Sequence, residues 1–158
     1  MKIGITSDHG GYLLKKEIIS RSSVFDDVEF IDLGTYSSDR VDYPDFAKKI
    51  AIELLDGKID RGIAICKSGH GMCITLNKFK GVRASLVYSA DSCFNGIRDD
   101  DLNIISIPAN DIGIDEAIKI IQVLKDTVFL DCDRYKIRKD KVLEIEDLNF
   151  KWGIKDEW

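Results

Sequence analysis

Two residue types that build metal sites and disulfide frameworks are scarce in this chain. Its 158 residues include two histidines, His9 and His70, and four cysteines, Cys66, Cys73, Cys93 and Cys132. They form no Cys-x-x-Cys pair and no zinc spacing, so the sequence offers neither a structural metal site nor a disulfide scaffold. Reduced thiols are what a cytoplasmic protein carries. Prolines number only two, and no Pro- or Gly-rich linker divides the chain. One domain is therefore expected, long enough for a full core. No apolar run approaches the roughly 20 residues of a membrane span. The N-terminus runs from Lys2–Ser7 straight into a polar Asp-His-Gly-Gly, unlike a secretory signal. Basic residues are outnumbered 28 to 23, for a net charge of −5. That balance excludes a general nucleic-acid or anionic-membrane surface, though not a local basic pocket.

What the chain does have is a repeated pattern of short apolar run, glycine turn and amphipathic stretch. Its centre is Arg61-Gly-Ile-Ala-Ile-Cys-Lys-Ser-Gly-His-Gly-Met-Cys-Ile-Thr-Leu-Asn77. Gly62–Cys66 has the length and composition of a buried strand, and Met72–Leu76 reads as the first turns of a helix. Between them, Gly69 and Gly71 place backbone N–H groups at a helix N-terminus, a ready anion site. Cys66 falls at the carboxyl end of the strand, where open α/β sheets hold their ligands. A thiol beside amides and a helix dipole has the parts for proton abstraction. A packed cysteine followed by an ordinary turn is the plainer alternative.

The pattern recurs. Lys2–Ser7 is a strand, Asp8-His9-Gly10-Gly11 its turn, and Tyr12–Arg21 a helix. Asp8 is either a helix cap or a site carboxylate, and His9 a turn residue or a ligand group. Val28–Leu33 is the second strand, and a polar loop leads to a helix opened by Pro44 with Tyr43 at its start. Val82–Val87 and Asn103–Ile107 are the fourth and fifth strands, followed by helices from Ser89 to Ile97 and from Ile114 to Lys125. This alternation predicts a three-layer α/β fold, with five parallel strands covered by helices on both faces. Asp131–Glu146 is one further helix, rich in charge, with a thin apolar stripe of Ile137, Val142 and Ile145. Arg134 and Arg138 share one of its faces, available to a phosphate or to neighbouring aspartates. The domain is expected to end near residue 146, and 147–158 form an extension of unknown role.

Several of these segments together resemble the type-B ribose-5-phosphate isomerases, one family with the subunits of galactose-6-phosphate isomerase. The resemblance rests on Ser7-Asp8-His9-Gly10-Gly11, Asp32-Leu-Gly-Thr-Tyr, Val41-Asp-Tyr43-Pro-Asp45, Ile65-Cys66-x-Ser-Gly69-x-Gly71-Met72, Asn77-Lys78, Gly81-Val-Arg83-Ala84 and the Arg134, Arg138 pair. It covers the chain in order to about Glu146. It implies a Rossmann-like fold and an aldose–ketose isomerase acting on a phosphosugar, without metal or organic cofactor. The working form would be a dimer or a dimer of dimers with sites shared between subunits. In that scheme Cys66 moves a proton between C1 and C2 through a cis-enediolate, and the amides from Ser68 to Gly71 stabilise the oxyanion. Asp8 handles hydroxyl protons, Tyr43 lines the sugar, and His9, Arg134 and Arg138 hold the phosphate end.

Departures from the family pattern are informative. Lys67 stands where the family has glycine, which predicts a rebuilt loop, and His70 stands where it has an aliphatic residue. Asp99 holds the place of the histidine that opens the sugar ring, Asp100 that of an asparagine, and Asn110 that of an arginine. Two expectations follow: His70 serves as the ring-opening acid, or the substrate is a phosphosugar that needs no ring opening. A non-catalytic phosphosugar-binding relative is the rival from another class. A nucleotide-binding domain is disfavoured by the absence of a full Gly-x-Gly-x-x-Gly fingerprint.

Overall fold

Alternation within the strands decides which helices lie on which side. The computed structural model describes residues 1–153, with side chains through Asn149. Five strands, β1 (Lys2–Ser7), β2 (Glu29–Asp32), β3 (Arg61–Cys66), β4 (Ala84–Leu86) and β5 (Ile104–Pro108), form one parallel sheet in the order β2-β1-β3-β5-β4. Ile3, Ile5, Ile63, Ile65, Ile105 and Ile107 point to one face and are buried there with Ile18, Ile97 and Ile120. Those partners come from α1 (Tyr12–Ser20), α4 (Ala90–Asp100) and α5 (Ile114–Asp126). The opposite face of β3 carries Ala64 and Cys66, packed with Ala47, Ile50, Met72 and Leu76. These belong to α2 (Tyr43–Leu55) and α3 (His70–Leu76). Small residues on that face let α2 lie close; a Cβ at Gly62 would meet the Ile50 side chain at 3.0 Å. Each fully buried isoleucine contributes on the order of 2 kcal/mol, so the sheet core is the main source of stability.

The expected architecture is the observed one: a Rossmann-like α/β sandwich whose chain moves outward through β2 and then back past β1 to β3. The reversal lies between β1 and β3, the place where open parallel sheets bind ligands at their carboxyl ends. Several boundaries differ from the sequence pattern. β4 is only three residues long, because it is an edge strand flanked by β5 alone. α3 begins at His70, two residues before the apolar run, and α4 extends to Asp100.

The last helix, α6 (Asp133–Gly153), runs past Glu146, the expected end of the domain. It is anchored at the amino end of the sheet. Lys139 pairs with Asp101 at 3.3 Å, Glu146 accepts from the Gly81 N–H at 3.0 Å, and Lys80 pairs with Asp147 at 2.6 Å. Ile137, Val142, Ile145 and Leu148 on α6 each remain more than half exposed. The rest of the tail, residues 154–158, lies outside the described residues. Among the described residues no helix is long and apolar enough to cross a membrane.

Candidate active site

The turns after β1 and β3 meet at the carboxyl end of the sheet and are joined by backbone. The Asp8 N–H donates to the Ile65 carbonyl at 3.1 Å, and a Cβ on Gly11 would lie 2.4 Å from that same oxygen. Glycine is required there for the two turns to approach. Asp8 is only 7% exposed. Its Oδ1 accepts from the Gly11 N–H at 2.9 Å and so holds the turn that leads into α1, whose N-cap is Gly11. No donor bonds its Oδ2 among the described residues, and this oxygen is available to a ligand. One oxygen of the carboxylate thus holds the turn, and the other is left unengaged.

Cys66 ends β3 and is 4% exposed. Its Sγ accepts from the Gly69 N–H at 3.1 Å, a bond that favours negative charge on sulfur. Gly69 has φ +72°, and a Cβ there would come 2.2 Å from Leu86, so only glycine suits the turn. The Gly69 carbonyl accepts twice, from the Cys73 N–H at 3.1 Å and from the Ser106 hydroxyl at 2.6 Å. The N–H groups of Ser68, His70 and Gly71 have no acceptor among the described residues. At the start of α3 they line a concavity of unengaged donors beside the thiol, an arrangement that suits an anion. Of the other thiols, Cys93 lies on α4 and Cys73 on α3. Burial pushes Cys93 up to about 12, and burial also raises Cys73. All four cysteines are free.

Three more of the expected residues border this concavity. Tyr43, at the start of α2, lays its ring on Gly71: a Cβ there would meet the ring at 2.7 Å. His9 ties its turn to the following loop, with Nδ1 3.1 Å from the Val41 carbonyl and 3.3 Å from the Val41 N–H. A protonated Nδ1 donates to the first, and a bare one accepts from the second. His70 is exposed as the first residue of α3. Lys67 to Gly69 form the turn that joins β3 to α3. The Lys67 side chain leaves the turn for solvent, passing over Gly10 at a place where a Cβ on Gly10 would lie 2.7 Å from its Cγ.

Asp99, Asp100, Arg134 and Arg138 are elsewhere. α4 leads from the carboxyl end of β4 to the amino end of β5, so its last residues stand across the sheet from Cys66. Six residues of strand separate the two ends by on the order of 20 Å. Arg98 grips Asp99 with Nε–Oδ1 2.5 Å and Nη2–Oδ2 2.9 Å. That bond, with the Tyr135 hydroxyl and the charge of Arg134, holds the Asp99 carboxyl below its ordinary range. Asp100 is exposed. Arg134 stacks over the Tyr135 ring at 4.5 Å. Arg138, Asp100, Arg83 and Val142 line a cavity of about 470 Å³ between α6 and the start of β4. The sequence pattern missed Ser106, Arg98 and Tyr135. The signal for Ser106 was a hydroxyl at a core position of an isoleucine-rich strand. Among the described residues, no group of three or more His, Cys, Asp or Glu is placed to hold a metal ion.

Comparisons with known proteins agree on one family. The model described as Ribose/Galactose Isomerase matches residues 3–142. The chain is 35% identical over 149 residues to Ribose-5-P isomerase B of Listeria innocua, covering 94% of this chain and 99% of that one. It is 38% identical over 120 residues to Ribose-5-phosphate isomerase B of Escherichia coli, covering 76% and 80%. Among solved structures, Ribose-5-Phosphate Isomerase B of Clostridium thermocellum superposes with TM-score 0.89 at 38% identity, covering 94% of this chain and 99% of that one. The Mycoplasma genitalium protein, solved with bound ribulose-5-phosphate, gives TM-score 0.84 at 34% identity, with 92% and 96% covered. The chain belongs to the ribose/galactose isomerase family, the sugar-phosphate aldose–ketose isomerases that include the type-B ribose-5-phosphate isomerases.

Proposed function

We propose that this protein interconverts ribose 5-phosphate and ribulose 5-phosphate, with Cys66 as the base. The observation that carries the reading is the Gly69 N–H donated to Cys66 Sγ, beside the unengaged amides of His70 and Gly71. The thiolate removes the proton from C2 of the open-chain aldose, and the electron pair moves to O1 as the enediolate forms. The amides hold that oxyanion, an interaction worth about 10²–10³ in rate per well-placed donor. Asp8 Oδ2 relays a proton between the hydroxyls at C2 and C1, and the Cys66 thiol returns its proton to C1. Tyr43 lines the sugar, and His9 stands near the phosphate. Four free thiols suit a cytoplasmic setting.

The second half of the site comes from another copy. Arg134 and Arg138 lie at the amino end of the sheet, too far from Cys66 of the same chain to share a ligand with it. A dimer that sets the amino end of one protomer against the carboxyl end of the other completes each site. Asp99 is engaged by Arg98 and Tyr135 rather than turned outward as a proton donor. His70, exposed at the mouth, is the acid available for ring opening. The same loss of a histidine favours a second reading, an isomerase of another aldose phosphate.

The deciding experiment is turnover of ribose 5-phosphate by the purified protein beside Cys66→Ala. Turnover lost in the variant supports the reading. Turnover retained overturns Cys66 as base. A wild type inactive on ribose 5-phosphate but active on another aldose phosphate transfers the assignment to that sugar. Inactivity on the whole series leaves a phosphosugar-binding relative.

A further inference from the structure

Ser106 is the only polar side chain that enters the sheet from β5, and it is fully buried. Its neighbours on the strand, Ile104, Ile105 and Ile107, are all fully buried and apolar. A hydroxyl at such a position costs stability unless it is bonded. It is bonded to one acceptor, the carbonyl of Gly69, at 2.6 Å. The register explains how it reaches. Ser106 is paired with Ala64 on β3, and Cys66 with Pro108, so Ser106 shares the face of Ala64 and Cys66 below the glycine turn.

The bond falls on the peptide unit that joins Gly69 to His70. In a trans peptide the carbonyl and the N–H point in opposite directions. Fixing the Gly69 carbonyl downward onto Ser106 therefore fixes the His70 N–H upward, into the concavity. Helix formation by itself supplies the carbonyl with one partner, the Cys73 N–H. Ser106 supplies a second and polarises the peptide, which makes its N–H a better donor. The same glycine, in the left-handed conformation, sends its own N–H to Cys66 Sγ. One buried hydroxyl thus fixes the peptide after Gly69, next to the peptide whose N–H meets Cys66 Sγ.

We infer that Ser106 is a positioning residue for the oxyanion donor at His70 and for the Cys66 thiol, acting through the Gly69 peptide. The inference rests on the isomerase reading for its kinetic consequence, but its geometric part is testable without substrate. Removing the hydroxyl leaves the carbonyl with the Cys73 N–H, so the fold survives while the aim of the amides loosens.

The test compares wild type, Ser106→Ala and Ser106→Thr in three assays. In ribose 5-phosphate turnover, Ser106→Ala is expected to lower kcat about tenfold, with KM changed less than about twofold. Ser106→Thr keeps the hydroxyl and restores most of kcat. In inhibition, a phosphorylated hydroxamate, whose planar oxyanion imitates the enediolate, loses about tenfold against Ser106→Ala. Inorganic phosphate binds as before. In the third assay, without substrate, Cys66 of Ser106→Ala reacts several-fold more slowly with iodoacetamide, followed on the Cys66 peptide by mass spectrometry. Unchanged kcat and unchanged Cys66 reactivity in a folded Ser106→Ala protein overturn the inference. So does an equal loss of phosphate and hydroxamate affinity, which would mark a general structural defect. If Ser106→Ala does not fold, the isosteric Ser106→Cys, a much weaker donor, replaces it in the kinetic assays, and wild-type kcat there overturns the inference. A wild type inactive on ribose 5-phosphate strikes the substrate assignment alone, and the reactivity comparison still decides the role of Ser106.

Discussion

The two ends of the sheet are built by different means. At the carboxyl end the groups that face the concavity are backbone amides and short side chains, held by Gly11, Gly69 and Gly71 at positions where a Cβ would collide. At the amino end the groups are long and charged: Arg83 on Asp101, Arg98 on Asp99, Lys139 on Asp101, Arg134 over Tyr135. Backbone donors cost no reorganisation when charge develops on the substrate, which suits the reacting carbons. Long cations are adaptable and suit the gripping of a phosphate. In the proposed scheme one end would hold the chemistry and the other would reach to a ligand seated on a neighbouring copy.

Cys66→Ala breaks the first end most severely. Loss of the base is expected to lower turnover by at least about 10³-fold, while phosphosugar binding persists. A steady-state assay, with calorimetry for binding, checks both. The small buried thiol leaves a small cavity, so unfolding temperature should fall only modestly.

Arg138→Ala tests whether the two ends belong to different protomers. Alone it is expected to lower kcat/KM about 100-fold, chiefly through KM. Mixed with Cys66→Ala and refolded together, the impaired and the inactive chain should recover about a quarter of wild-type kcat/KM, read at substrate well below KM, because half of the dimers then contain one intact site of two. No recovery in the mixture would place Arg138 and Cys66 in the same protomer's site, or in none.

Gly71→Ala sharpens the contrast at the backbone end. The new methyl meets the Tyr43 ring at 2.7 to 3.0 Å. The ring is 39% exposed and can swing outward, so the fold holds. KM for the phosphosugar should rise roughly tenfold as the sugar wall is displaced. Adding Tyr43→Ala removes the collision without restoring the wall, so thermal stability recovers and KM does not.

The sequence made one end of the molecule far more legible than the other. Strand, glycine turn and helix are local patterns. They marked Asp8 and Cys66 at strand ends and Gly69 and Gly71 at a helix start, and the structure brings those turns together. Arg134 and Arg138 were legible as a pair on one helical face, but their distance from Cys66 depends on the path of α4 and α6 across the sheet. Asp99 reads in sequence only as the residue in the place of a histidine, and it proves to be paired with Arg98 and bonded by Tyr135, 36 residues further on. Ser106 was missed because its partner lies on another strand's turn, and a serine among isoleucines resembles a mere weakening of the core. Boundaries moved where burial ended early, as at the edge strand β4, or where bonds to Gly81 and Asp101 carried α6 beyond its thin apolar stripe.

The smallest effect is expected from Asp99, and it appears at acid pH. Its carboxyl is held below the ordinary range, first by the Arg98 hydrogen bond and further by Tyr135 and the charge of Arg134. A depressed carboxyl stabilises the fold at pH values above that of the unfolded chain, near 4, and the contribution disappears as pH falls through the folded value. Asp99→Asn removes that dependence. Its unfolding temperature should lie slightly below wild type at pH 7 and converge with it toward pH 3, as measured by thermal melts across that range. The group is solvent-accessible, so the shift at neutral pH is small and shrinks further in high salt. An Asp99→Asn protein that melts above wild type at pH 7 and converges with it toward pH 3 would instead mean that Asp99 is strained against a neighbouring carboxylate, and the amino end would then be tuned for a ligand rather than for its own stability.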